Sequence, residues 1–458
     1  MTWRRPPTPW LLVLAMVGCA STKPTAASND VADAIAQRSG LADVIDSDPE
    51  QRGGERVRER VAQLLAEPLT LDRALEVAML NNRGLLATLE NLGVAQADLV
   101  QAGLLDNPVV GGDLVVSTVG NGFGGGLALS QSLLSAFLIP AQRRLAKARL
   151  QVAVVQVTDA ALALVRDVKV AHAELLGSMA SCDIHRTLVQ TAEVADELAQ
   201  RQRDAGNLAE IDRELFASAL DEARLDLAEH ELHIVEARER FNRLLGLWGD
   251  QVDWVPAGSL AEPSPTEAPL DDLEQAGVGQ RLDISAARYQ VESMERALEL
   301  RRRGVVPAIE AGVEARNEVG DDLGHEWVVG PSLSIELPLF DPGHADFARL
   351  RAQLRQAQHQ LQQTAINARS HIRVHRQRLI TARRRVDYMR DVVLPRRQTI
   401  TARALERYNG MLIGAYDLFD IRAEEVMAQQ HYVEALRDYW VARAELERAV
   451  GGRLPTAG

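Results

Sequence analysis

The chain has 458 residues, a formal net charge of −13 at pH 7 and an aromatic content of only 4%. Its abundant Ala, Leu, Arg, Glu and Gln residues are typical of long helices that pack through small and aliphatic side chains, which argues against a row of compact globular domains. The acidic balance argues against nucleic acid as a partner.

The first residues have the pattern of a targeting segment. Arg4 and Arg5 precede an apolar run at residues 10–17 that is too short to span a bilayer as a helix. Small residues before Cys19 resemble a bacterial lipobox. We therefore expect a signal peptide at residues 1–18, a covalent lipid at Cys19, no other cofactor, and a lipidated leader at residues 19–68. An ordinary secretory signal cleaved nearby is the alternative.

The rest of the chain contains two copies of one unit. A helical pattern runs through Asn82 to Pro108 in the first half and through Arg281 to Pro307 in the second, and 26 residues separate the two members of each pair. Equal spacing indicates a duplication. We place the repeats at residues 69–249 and 272–451, the proline-rich linker at 250–271 and a tail at 452–458.

Strand patterns follow both prolines, at about residues 109–134 and 308–340. In the second copy Ile309 and Val313 alternate with Glu310 and Glu314, the period of two that gives a strand one apolar and one polar face. The first copy alternates less clearly and contains a glycine-rich stretch at residues 120–125 that formally matches GxGxxG. Because strand-like sequence follows it, we interpret this stretch as a hairpin loop.

Two very long helical patterns follow the strands. Pro140 and Gly206 lie 66 residues apart, and Gly343 and Gly410 lie 67 apart, so each continuous helix would be ~100 Å long. Such helices need lateral partners, and Pro395 should interrupt the second one. We predict a mainly α fold with a small β part, in which each repeat is a strand hairpin followed by a long coiled-coil helical hairpin. Glycine at 206 and 410 would supply the left-handed turns.

The sequence has no motif for catalysis. His230 and His233, and His371 and His375, have spacings that could hold a metal, but their charged neighbours favour solvated helix faces. Cys182 continues an apolar stripe and is expected to be a packed thiol. No later run of 18 apolar residues indicates a transmembrane helix. We therefore expect neither a catalytic residue nor a metal site, and not an enzyme.

The residues after the two glycines allow two interpretations. One is that they only build turns and helix caps. The other is that they form exposed helical tips that dock a partner, with acids near a pore mouth. The residues concerned are Gly206, Asn207, Leu208 and Asp212 in the first copy and Gly410, Met411, Leu412, Asp417 and Asp420 in the second.

Several short stretches together resemble the TolC-type outer-membrane efflux family. They are LTLDRAL at 69–75 with NN at 81–82, LPLFD at 337–341, YNG at 408–410 and RDYW at 437–440. The resemblance covers about residues 60–451 and is carried by the order and duplication of these stretches.

The resemblance implies a homotrimer whose strands close a 12-stranded outer-membrane barrel and whose helices form a periplasmic tube. It also implies docking of a periplasmic adaptor at the two tips, a resistance-nodulation-division type inner-membrane pump, contact with outer-membrane lipid, and a gate. Candidate gate residues are Asp212, Asp417 and Asp420, and candidate corners between barrel and helices are Pro108, Pro307, Pro338 and Phe340.

The expected function is therefore a passive outer-membrane channel of a tripartite efflux system, lipid-anchored and extending into the periplasm, with heavy-metal ions or drugs as cargo. A type I protein secretion component and a non-channel periplasmic coiled-coil scaffold are the alternatives. The copies differ at one point, since Asp212 lies six residues after Gly206 and Asp417 lies seven after Gly410.

Overall fold

The computed structural model describes most of the chain. The described residues are 24–42, 45, 48–116, 123–264, 273–304, 309–319, 325–336, 339–340 and 342–454. The expected signal peptide, the lipid site Cys19 and the corner candidates Pro307 and Pro338 lie outside these residues. The chain divides into two compact units, of which the first contains Leu92–Gln151 and Tyr289–Gln356 and the second contains Thr25–Asn91, Val152–Arg288 and residues from Ala357 onward.

The described elements confirm a mainly helical fold with a small antiparallel sheet. After two helices in the leader, each half of the chain has two helices, then a strand hairpin, then long helices. The helices are α1 (Thr25–Ser39), α2 (Glu55–Leu65), α3 (Leu71–Asn81), α4 (Arg83–Gln101), α5 (Leu133–Asp204), α6 (Glu210–Leu245), α7 (Leu273–Gln280), α8 (Leu282–Arg303), α9 (His344–Tyr388), α10 (Leu394–Asn409) and α11 (Ala415–Val450). The strands are β1 (Val109–Val116), β2 (Phe123–Ser132), β3 (Ile309–Val319) and β4 (His325–Ile335).

The sheet of the first unit contains one hairpin from each repeat. Its order is β1-β2-β3-β4 and every neighbouring pair is antiparallel. In the central pair Leu129 lies opposite Val313, so the two repeats meet in register at the middle of the sheet. β1 and β4 are the edge strands.

The core of the second unit lies between long helices. One cluster combines Leu273 of α7, Ile372 and Leu379 of α9, and Tyr439 and Leu446 of α11, all buried. On α9 the cluster residues Ile372, Leu379 and Val386 are seven residues apart, which places them on one packed stripe. Cys182 of α5 is also buried, and its burial raises the pKa of the thiol.

The duplication extends to the ends of the returning helices. Gly246 and Gly451 adopt φ values of +70° and +90° after α6 and α11. Asn82 Nδ2 donates to Leu244 O at 2.9 Å, and Arg281 Nη1 donates to Ala449 O at 2.8 Å. In each repeat a side chain near the start of the repeat thus donates a hydrogen bond to a backbone carbonyl in the last turn of the repeat's final helix.

Pro395 interrupts its helix as predicted. α9 ends at Tyr388, a π-helical turn occupies Met389–Val393, and α10 begins one residue before the proline. A proline cannot donate the backbone hydrogen bond of a helix interior, and the wider turn accommodates that loss.

The described part of the linker between repeats is fastened to the second helical hairpin. Trp440 Nε1 donates to Ala261 O at 2.8 Å, and the Tyr432 hydroxyl donates to Glu262 Oε1 at 3.1 Å. Burial, with this hydrogen bond to Glu262, raises the pKa of Tyr432 to about 12.

One described helix differs from the expectation about membrane helices. By length and composition alone α5 could cross a membrane, and 56% of the relevant window is buried inside the protein. Core helices that pack on several neighbours share this composition.

Candidate functional site: helical tips and sheet

The tip of the first hairpin is a compact left-handed turn between α5 and α6. Gly206 has a φ of +76°. Gly206 N donates to Arg203 O and Asn207 N donates to Gln202 O, both at 2.8 Å. This pair of bonds is the Schellman motif, in which the left-handed residue is normally glycine because a side chain there is strained.

The tip of the second hairpin has the same turn, but displaced by one residue. Met411 N donates to Tyr408 O at 2.9 Å and Leu412 N donates to Arg407 O at 2.8 Å. Met411 has a φ of +58°, whereas Gly410 has a φ of −82°. The prediction that Gly410 supplies the left-handed turn is therefore wrong: Met411 occupies the position that corresponds to Gly206.

This shift restores the equivalence of the two tip acids. Counted from Gly206 and from Met411, Asp212 and Asp417 are both the sixth residue. Both are the third residue of their helices, α6 and α11. The extra residue that the sequence suggested between tip and acid thus lies before the turn.

The three candidate gate acids are all exposed but differ in their contacts. Asp417 Oδ2 accepts a hydrogen bond from Gly414 N at 3.0 Å and so caps the start of α11. Within the described residues, Asp212 and Asp420 have no ion-pair partner. These two carboxylates are therefore free to meet a cation, a neighbouring chain or a partner.

Aromatic side chains join the two hairpins just behind the tips. The Phe216 ring of α6 lies 5.2 Å from the Tyr416 ring and 6.3 Å from the Phe419 ring of α11. Phe216 is buried, whereas Tyr416 is exposed. These ring contacts hold the two tips of this unit next to each other. Edge-on contacts between aromatic rings add to the stability that burial gives.

The sequence analysis missed a residue of the second tip. With the corrected correspondence, Leu208 matches Ile413 rather than Leu412. Ile413 lines a groove of about 250 Å³ together with Ile400, Ala404 and Ile421. Met411 and Leu412 remain outside it and are exposed by 93% and 69%. Only the backbone angles show that a methionine occupies the turn position that glycine occupies in the first copy.

Two of the four histidines expected on solvated faces, His230 and His375, are half-buried instead. The rings of His185 and His230 lie 3.8 Å apart between α5 and α6, and His185 is buried. Burial, with the neighbouring His230, lowers the pKa of His185. Burial also lowers the pKa of His375, whereas His233 and His371 are exposed. The parts of the chain that the structure describes contain no group of three or more His, Cys, Asp or Glu arranged to hold a metal ion.

One face of the sheet is apolar and exposed across all four strands. Cross-strand partners share a face, and the register places Val110 opposite Leu129, Leu129 opposite Val313 and Val313 opposite Pro331. Leu114 of this face is 92% exposed. The other large exposed side chains of this face are Val116, Leu127, Trp327, Val329, Leu333 and Ile335. A sheet that shows such a face to water is rare in soluble proteins.

The opposite face is mostly polar and acidic. Asp113, Glu310 and Glu314 lie on it with serines of β2 and β4, and Arg316 Nη2 pairs with Glu314 Oε1 at 2.6 Å. Aliphatic exceptions on this face are Val109, Val115 and Val328. The first strand pair therefore has two faces as well, although its glycines hide the alternation in the sequence.

The described corner candidates lie where helices and strands join. Pro108 directly precedes β1 and is exposed, and Phe340 lies between β4 and α9 and is fully exposed. Nearby, Gln131 Nε2 donates to Asp106 O at 2.8 Å and ties the end of β2 to the segment before β1.

Comparisons with solved structures identify this fold. No protein-family model matches the chain. A membrane protein from Pseudomonas aeruginosa superposes with a TM-score of 0.69 at 18% identity, over 83% of this chain and 93% of that one. The outer membrane protein VceC of Vibrio cholerae gives a TM-score of 0.67 at 16% identity, over 88% of this chain and 98% of that one. The CusC transmembrane channel gives 0.69 at 17% identity, over 84% and 92%.

The chain has the fold of the TolC-type outer-membrane efflux channels. This fold has the order of elements found here, one strand hairpin and one long helical hairpin in each repeat, in agreement with the resemblance of the short sequence stretches. Among curated proteins, the fusaric acid resistance protein FusA of Burkholderia cepacia is 29% identical over 182 residues. That match spans 37% of this chain and about a third (32%) of the length of FusA.

Proposed function

We propose that the protein is the outer-membrane channel of a tripartite efflux system and passively conducts its cargo to the exterior. The observation that carries this proposal is the four-stranded sheet with one exposed apolar face and one acidic face. Structural neighbours such as the Campylobacter jejuni CmeC outer membrane channel and the outer-membrane channel OprN support it.

Three chains together could close a barrel, which the four strands of one chain cannot do. Among the described residues the edge strands β1 and β4 each pair on one side only, and lipid offers no partner for unpaired backbone groups. Four strands cannot close a barrel, whereas three copies joined β1 to β4 would give 12 strands, an even number within the range of outer-membrane barrels. The apolar face would then contact lipid and the acidic face would line the lumen.

The helices of the second unit also present a surface for neighbouring copies. Ile211, Leu225 and Leu232 of α6 are all exposed, and their spacings are multiples of seven residues. The small Ser218 occupies the intervening position of the same series and is exposed as well. A seven-residue repeat of mainly apolar residues is the pattern with which one helix packs along another in a coiled coil. In the trimer this stripe would be covered, and the long helical hairpins would form the wall of a tube.

The remaining parts of the proposal follow from the tips and the leader. The tips would dock a periplasmic adaptor fed by an inner-membrane pump, for which a resistance-nodulation-division pump is the expected type. Acylation of Cys19 would anchor the leader in the membrane. Drugs or metal ions are the expected cargo, and the carboxylates of the lumen face would suit the passage of cations.

A matched pair of variants, each with one exposed cysteine added beside the buried Cys182, tests the barrel. Leu114→Cys lies on the apolar face and Glu314→Cys on the acidic face, and each would carry a polarity-sensitive dye in reconstituted vesicles. We expect a lipid-like emission only from position 114, a water-like emission from position 314, and a particle mass of three chains in detergent. Water-like emission from both positions, or a monomeric particle, would contradict the proposal.

A further inference from the structure

The helix ends next to the sheet carry an excess of positive charge that the rest of the chain does not share. In the described helical segments of the first unit, at residues 92–107, 133–151, 289–304 and 342–356, there are eleven Lys and Arg residues but six Asp and Glu residues. The whole chain has a formal net charge of −13. The basic excess is therefore local.

These helix ends form one cluster in space. Arg144 of α5 lies 3.7 Å from Glu299 of α8, and Arg301 of α8 lies 3.4 Å from Asp346 of α9. The Arg301 guanidinium also lies over the Phe347 ring at 5.8 Å. The ends of α5, α8 and α9 thus lie together at one end of the strands, where β2 leads into α5 and β4 leads toward α9.

Three cations of this cluster are exposed and have no acidic partner within the described residues. They are the three nearest to the sheet, Arg143 of α5, Arg302 of α8 and Arg351 of α9, which we call the basic collar; Lys147, Arg149 and Arg355, farther along the helices, are exposed and without an acidic partner within the described residues as well. Measured along their helices at ~1.5 Å per residue, the three collar cations lie within about 15 Å of the helix ends that face the sheet. The collar therefore lies near the end of the sheet that these helices adjoin.

Helix dipoles do not explain this placement. A cation at the C-terminus of α8, such as Arg302, is stabilised by the dipole. Arg143 and Arg351 instead lie toward the N-terminal ends of α5 and α9, where the dipole offers positive charge no stabilisation. The helix dipole therefore does not account for the positions of Arg143 and Arg351.

Large exposed apolar side chains lie between the sheet and the basic collar. Leu133 and Phe137 occupy the first turns of α5, and Leu339 and Phe340 lie between β4 and α9, all exposed. The surface therefore changes from an apolar strand face to an aromatic and aliphatic band and then to cations. This is the order of layers in a bilayer, from hydrocarbon through the interface to the phosphates.

We propose that the basic collar binds the headgroups of anionic phospholipids in the leaflet on the helical side of the sheet. The inference rests on the proposed function, since it requires the sheet to lie in a membrane. Guanidinium groups pair well with phosphate, and cations at a membrane surface attract anionic lipid within about a Debye length. The layer of lipid around the protein is then enriched in anionic species and fixes the depth of the barrel.

Lipid selectivity in reconstituted vesicles tests the collar. Electron paramagnetic resonance of spin-labelled phosphatidylglycerol and phosphatidylcholine compares the association of each lipid with the full-length protein. We expect a preference for phosphatidylglycerol of about fivefold at low salt, which corresponds to ~1 kcal/mol. The triple variant Arg143→Gln, Arg302→Gln, Arg351→Gln should lower that ratio toward one, and added salt should lower it in the wild type.

The matched control removes three exposed arginines of the second unit, Arg58, Arg369 and Arg396, each replaced by Gln. It should keep the wild-type preference. Equal association of both lipids with the wild type, or an equal loss in both triple variants, would overturn the inference. Ion conductance measured on the same vesicles separates the two proposals: conductance without lipid preference refutes only the collar, whereas no conductance in any lipid mixture refutes the channel and the collar together.

Discussion

Single residues decide the shape of the two tips. A non-glycine residue in the left-handed region carries a cost of roughly 1–2 kcal/mol, and Met411 bears it in full view of solvent, without burial to offset it. Met411 thus weakens the turn while presenting a long, flexible apolar side chain at its apex. Side chains of this type suit adaptable contacts with a partner.

The backbone angles of the tips predict three different outcomes for glycine exchange. Gly206→Ala should destabilise the protein by about 1 kcal/mol because its φ is positive, although no atom lies near its added Cβ. Met411→Gly should stabilise the protein by about the same amount. Gly410→Ala, with a negative φ and only ordinary contacts, is the control and should change little. Thermal midpoints in detergent check the order, and a Gly410→Ala loss as large as that of Gly206→Ala would contradict it.

Half-buried His172 predicts a stability that falls in acid. Burial lowers the pKa of His172 to about 4 in the folded state. The unfolded chain takes up a proton near the ordinary value of about 6.5, so stability is complete at neutral pH and declines as the pH falls below that value. By pH 5 the loss from this group is ~2 kcal/mol.

The matched variant for this effect is His172→Phe, since the ring of His172 already packs against Phe241 at 5.9 Å. The difference between the stabilities at pH 7 and pH 5 should be smaller in the variant than in the wild type. An identical pH dependence in both proteins would show that His172 does not contribute.

At the scale of elements, the sequence predicted what depends on local periodicity. The strands near residues 109–134 and 308–340, the long helices and the interruption at Pro395 all follow from alternation, helix-forming composition and the missing N–H of proline. The register of the second tip did not follow, because the glycine before the turn looks like the turn itself. The half-burial of His230 against His185 was also not predicted, since charged neighbours along one helix do not reveal which face meets its partner.

The exposed second tip predicts a docking defect that leaves the channel intact. Leu412→Asp places a charge on a residue that is 69% exposed, so the fold should tolerate it. Adaptor binding in vitro and export in cells should both fall at least tenfold, because an apolar contact would be replaced by a buried charge. Trp248→Asp, at another exposed apolar side chain of the same unit, is the control. Normal export by the Leu412 variant would remove this tip from the docking surface.

At the scale of the whole molecule, the chain is incomplete as a single copy. In the part of the chain that the structure describes, the sheet has two open edges and an apolar face, and α6 carries an apolar stripe that no other described segment covers. These surfaces could be read only from the register and the exposure of side chains, since the glycines of β1 and β2 hide the alternation. A periplasmic scaffold would leave all of them in water, at a cost that a trimeric channel avoids.

Single-channel recording in planar bilayers tests the central claim most directly. Purified trimer should give discrete conductance steps with a preference for cations over anions, because carboxylates line the polar face. Glu310→Gln with Glu314→Gln should keep the steps and reduce that preference. A folded trimer that inserts into the bilayer but gives no conductance steps would contradict the assignment of this protein as a channel.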